Sequence, residues 1–127
     1  HPVHHGLLLI GWSAAVLDAP AAQEHIRIIS RAYKDCYPPE VFAKAVPTSA
    51  LDLYMAARAM LYALNGGHVD ARIPSPLPKS LAGFLKASLI KHPAHRSCDA
   101  LGARKDLEDI LASLYGPPSY QHLAVPQ

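Results

Sequence analysis

The residues of this chain best suited to chemistry are its histidines, its two cysteines and a few hydroxyls, and their spacing argues against most of what such groups do. His1, His4 and His5 carry imidazole nitrogens of the kind that ligate transition metals. On an extended strand adjacent residues face opposite ways, and no cysteine or carboxylate lies near to complete a ligand set, so no metal site is expected there. Cys36 with His25 would make a thiolate pair, but nothing beside them supplies donors for an oxyanion. Ser13 lacks the glycine-flanked turn of a serine nucleophile. Asn65-Gly66-Gly67-His68 reads as a helix cap and turn, not a phosphate-cradling loop. His92 and His95 are close enough to meet, at a helix C-terminus where the helix dipole favours histidine anyway. The expectation is no catalytic residue, no cofactor and no metal.

Composition narrows the class further. With half of 127 residues apolar and 17% charged, the chain has enough apolar surface for one modest core and too little charge for a disordered tail protein. A net charge of +2 gives no field for a nucleic acid or a membrane surface. Arg27, Arg31 and Lys34 would form a small basic stripe if helical, more simply a solvated face. The run Leu7-Leu8-Leu9-Ile10 is far too short to span a bilayer. Two cysteines without a secretory signal are expected to be free thiols, and the compartment is expected to be cytoplasmic. The sequence has no initiator Met, so it is expected to be a segment or a processed product.

The elements that would position these groups are mostly helices. Residues 1–13 read as a polar stub and a short strand ending at Gly11. Residues 14–46 are broken by prolines, with helical turns expected within Gln23–Tyr33 and Pro39–Ala45. Ser49 and Asp52 form a Ser-x-x-Asp start signal close to a capping box, heading a helix to Leu64 stopped by Asn65-Gly66-Gly67. That helix is apolar on nearly every face, with Arg58 its one interior charge, so it is expected to be the buried axis of the domain. After a proline-rich loop, Pro78–Ile90 forms a helix with Leu81, Phe84, Leu85 and Leu89 as its stripe. The last helix carries Leu107, Ile110, Leu111 and Leu114 at helical spacing and ends at Gly116-Pro117-Pro118. Residues 119–127 read as a tail, after a helical core at 47–118.

Tyr37-Pro38-Pro39-Glu40, then Ser49 to Tyr54 at the head of the apolar helix, then His92-Pro93-Ala94-His95-Arg96, resemble in order and spacing the large lobe of the protein-kinase fold from the activation segment onward. The resemblance covers roughly Gly6 to Tyr115. It implies that Glu40, closing the activation segment, pairs with Arg96 before the last helix, and that Asp52 anchors the central helix. It places the family's metal-binding Asp-Phe-Gly on Gly11-Trp12-Ser13. Glycine has no side-chain oxygen for Mg²⁺, and no candidate is present for the glycine-rich loop, the phosphate-binding Lys or the catalytic Asp. Ser30, Tyr33, Tyr37 and Thr48 fall in the activation-segment-like stretch, where phosphorylation would act through Arg27 or Arg31.

The expected architecture is a single, mainly α domain, a helical bundle around a buried central helix with a short N-terminal strand. The expected function is a non-catalytic, kinase-like module for protein interaction or regulation. Two alternatives stand beside it: a fragment of a serine/threonine-kinase-type phosphotransferase, and an unrelated small helical domain binding a peptide or a nucleic acid. The contact surface would include Leu7, Leu9, Arg27, Arg31, Tyr33 and Tyr37, with a protein partner or a second copy as the occupant.

Overall fold

The computed structural model describes residues 15–70 and 72–118. Within them the chain is helical, with no strand. Five α-helices follow in order: α1 (Ala19–Ala22), α2 (Pro39–Phe42), α3 (Ser49–Leu64), α4 (Lys79–Ser88) and α5 (Ala100–Tyr115). Two 3₁₀ turns, Arg31–Cys36 and Pro93–His95, complete the set. The strand expected over residues 1–13, and with it Leu7, Leu9, Gly11, Trp12 and Ser13, lies outside the described residues, as does the tail.

The irregular first part departs from the sequence reading. Helical turns are expected within Gln23–Tyr33; one forms earlier, at Ala19–Ala22, and the other, Arg31–Cys36, overlaps only the last three residues of that range and runs beyond it. Gln23 ends α1 in the left-handed region (φ 51, ψ 33), which stops the helix at the point where the turns were expected to begin. Arg27 is therefore not on a helix with Arg31 and Lys34, and the basic stripe does not form. Arg27 instead makes an exposed pair with Glu24 at 3.3 Å.

Helix α3 begins one residue before the capping-box reading allows. Thr48 is extended (φ −126, ψ 168) and takes the cap position without a side-chain hydrogen bond, so Ser49 is the first helical residue and Asp52 sits a position too far along to close a box. The Ser49 hydroxyl is used elsewhere: it donates to the Cys98 carbonyl, 49 residues away, tying the start of α3 to the approach to α5. At its other end α3 stops as the sequence requires. Gly66 and Gly67 both take positive φ (64 and 86), and the Gly67 N–H donates to the Tyr62 carbonyl at 2.8 Å.

The core forms where α3 meets α4. Ala57 and Leu61 of α3 and Leu85 of α4 are its fully buried residues, with Met60, Ile73, Leu77, Phe84 and Leu89 packed around them. Burying Leu85 completely is worth about 1.5–3 kcal/mol. Helix α5 packs against α4, and the Pro93–His95 turn packs against α3. Asp99 caps α5, its Oδ1 accepting from the Leu101 N–H at 3.0 Å.

Helix α3 is not the enclosed axis its composition suggested. Its buried residues are Ala50, Leu51, Ala57, Arg58 and Leu61, whereas Ala56, Ala59, Tyr62, Ala63 and Leu64 are exposed. Much of that apolar character is alanine, which favours a helix through its low side-chain entropy cost whether or not it is covered. Helix α5 shows the same economy: Leu107 and Ile110 are half-buried, but Leu111 and Leu114, expected on the same stripe, are exposed.

Candidate functional site

Two arginines are buried, Arg58 and Arg96, each with 6% of its surface exposed. Charged side chains almost never bury fully unless paired, so the surroundings of each carry information.

Arg96 follows the Pro93–His95 turn, whose extended exit (φ −96, ψ 153) turns the side chain into the body of the domain. Its Nη2 forms an ion pair with Glu40 of α2, 56 residues away, and its Nη1 donates to the Ala50 carbonyl at 2.8 Å. The guanidinium also lies over the Tyr54 ring, 5.0 Å from its centroid. A carboxylate, a carbonyl from the first turn of α3 and an aromatic face thus surround one cation. Helix α2 is only four residues long, and Pro39 at its first position gives it a preset φ. The Arg96 contact holds it, and the segment it ends, against α3. Glu40 and Arg96, a pairing that the family resemblance implies, are in contact.

Arg58 is the residue that sequence reading missed. It lies on the same face of α3 as Leu51 and Leu61, seven and three residues away, and that register was the available signal. Its Nη2 reaches the Asp35 carbonyl at 3.2 Å, the Val69 carbonyl at 3.5 Å and the Cys36 sulfur at 3.9 Å. The Asp35 contact is at the long end of the ordinary 2.7–3.2 Å range for N–H···O and the Val69 contact lies beyond it, while the third is to sulfur, where longer distances are ordinary. Its Nε–H is buried and has no acceptor among the described residues, as is also true of Arg96 Nε. Among the described residues no carboxylate lies within 4.0 Å of it, although all ten Asp and Glu of the chain are described.

The remaining sequence candidates are dispersed. Asp52 lies in the first turn of α3, beside a surface cleft formed with residues 15–20 and Pro47. Burial pushes its carboxyl above the ordinary 3.8, against the usual preference for an anion at a helix N-terminus. Arg31 and Tyr33 are exposed on the 3₁₀ turn, and Tyr37 just beyond it is half-buried. The rings of His92 and His95 stand 5.0 Å apart. Cys36 is a buried free thiol and Cys98 an exposed one. Among the described residues no group of three or more His, Cys, Asp or Glu is placed to hold a metal, and no helix is long and apolar enough to cross a membrane.

Against protein-family models, curated proteins and solved structures, the chain has no match.

Proposed function

We propose that this chain is a kinase-like helical module that acts by binding protein and not by phosphoryl transfer. The observation that carries the reading is the buried Glu40–Arg96 pair, which ties the end of an irregular segment to a helical core. The sequence order is that of an activation segment, a central helix and a closing helix, with Asp52 in the central helix's first turn. Absence of transfer rests on Gly11, which offers no oxygen to a metal where the resembled family has Asp.

A binding role is supported by what the irregular segment leaves uncovered. Leu17, Ile28 and Tyr33 are 84%, 65% and 50% exposed. A segment anchored at Glu40 that carries exposed apolar side chains among its charged ones is suited to meeting another chain.

The test has two parts. Incubation with radiolabelled ATP, Mg²⁺ and a generic phosphoacceptor protein should give no incorporation of label. Light scattering coupled to gel filtration should give a mass above 13.7 kDa, or crosslinking in native extract should trap a partner through residues 15–37. Label transfer would overturn the non-catalytic reading. A monomer with no crosslinks in that segment would overturn the binding one.

A further inference from the structure

Arg58 lines an open cleft of about 340 Å³ together with Tyr33, Tyr37, Met55 and Tyr62. The walls are apolar and aromatic, with Tyr33 and Tyr62 half in solvent at 50% and 40% exposure. Arg58 in this lining is more than nine-tenths buried, and its Nε–H, like that of Arg96, has no acceptor among the described residues; unlike Arg96, it has no carboxylate within 4.0 Å among them. A buried charge is normally paired, and the 3.2 and 3.5 Å contacts to carbonyls compensate only part of its lost hydration. Among the described residues Arg58 has no counter-anion.

We infer that this cleft is a docking site for an acidic side chain of a partner polypeptide, with an apolar residue beside it. The carboxylate would engage the Arg58 guanidinium, whose planar fork of donors matches two carboxylate oxygens. The apolar neighbour would lie between Tyr33 and Tyr62. The chemistry follows from charge complementarity: a cationic floor inside an apolar wall selects an anion carried on an apolar stem. A polypeptide suits the shape better than a small molecule, because pockets for small ligands enclose most of the ligand's surface and this cleft is open along its rim. Tyrosine and arginine are also the residues that most often dominate the energy of protein interfaces.

This inference rests on the proposed binding role and names the chemistry of the partner. It is tested on the intact chain with ¹⁵N-labelled arginine, by following the side-chain Nε–H signal of Arg58. The probe is a capped Ala-Leu-Glu-Phe-Ala peptide, with its Gln counterpart differing only in charge. The Glu peptide should shift the Arg58 signal saturably and bind about tenfold or more tightly than the Gln peptide, since hydrogen bonds to charged groups are roughly twice as strong as neutral ones. Arg58→Met should abolish the difference while leaving the circular dichroism spectrum unchanged.

No shift with either peptide at millimolar concentration, or equal binding of the two, would overturn the proposal. These comparisons are read on the unaltered chain, so they hold even if the variant fails to fold. Binding of 3-phenylpropionate without binding of the Glu peptide would reassign the cleft to a small acid and overturn the docking reading. The two proposals also fail separately. Self-association or crosslinking through residues 15–37 without Glu-peptide binding removes only this one, and label transfer from ATP removes only the other.

Discussion

Arg58 and Arg96 are equally buried, and the chain treats them oppositely. Around Arg96 it assembles a carboxylate from α2, a carbonyl from α3 and the Tyr54 ring, drawn from segments up to 56 residues apart. Around Arg58 it offers two carbonyls, at 3.2 and 3.5 Å, and a sulfur. The first, an internal lock, has its counter-charge, although Arg96 Nε and the second Glu40 oxygen have no partner; the second has no counter-charge among the described residues. Burial alone does not say what a charged residue is for. The inventory of its partners does.

The largest effect that would break this comparison lies at the lock. Arg96→Met should lower unfolding free energy by about 3–5 kcal/mol, because Glu40 is then left buried without its cation. Urea denaturation followed by circular dichroism measures it, and a loss under 1 kcal/mol would mean the pair is ornamental. Glu40→Gln keeps the shape and removes the charge. The expected loss, by the same measurement, is about 1–3 kcal/mol.

Arg58→Met should go the other way. Replacing an unpaired buried charge with an apolar side chain of similar length is expected to leave stability unchanged or raise it by up to roughly 2 kcal/mol, the lost carbonyl contacts being weak. A loss as large as that of Arg96→Met would show Arg58 to be a second lock, and the contrast would fall. Tyr54→Leu removes the aromatic face over Arg96 and should cost on the order of 0.5–1 kcal/mol in a thermal melt, less than any change to the ion pair itself.

The smallest effect concerns Asp52, an exposed residue whose carboxyl is partly desolvated. Asp52 has no cationic partner among the described residues, and burial raises its carboxyl above 3.8. The folded chain therefore holds this proton more tightly than the unfolded chain, so ionised Asp52 lowers stability at neutral pH. That cost fades as pH falls through the raised value towards 3.8. Asp52→Asn should flatten the dependence of the urea midpoint on pH in the window just above 3.8, and an unchanged slope would exclude a burial cost at this site.

How much of this could be read from the sequence differs from element to element. The ends of α3 and α5 are legible because Asn65-Gly66-Gly67 and Gly116-Pro117-Pro118 act locally, through backbone conformation. The enclosure of α3 was misread because alanine reports helix propensity more than burial, and Ala56, Ala59 and Ala63 all face solvent. The capping box failed by one residue, since Thr48 competes with Ser49 for the same role and Ser49 is drawn to Cys98, a contact no local pattern encodes. Arg58 was seen as the single charge in an apolar helix. Its lack of a partner depends on where Asp35, Cys36 and Val69 come to rest, which only the tertiary structure supplies.

The distance along the chain between Glu40 and Arg96 also bears on the order in which the molecule assembles. Helices α3, α4 and α5 pack sequentially, each against its neighbour, so their contacts close short loops and form early. Bringing Glu40 to Arg96 must instead wait until α3, α4 and the Pro93–His95 turn are in place, because the pair has no platform before then. Substitutions at the pair should therefore leave the refolding rate nearly untouched and appear as faster unfolding. The pair governs how long the molecule stays folded more than how quickly it gets there.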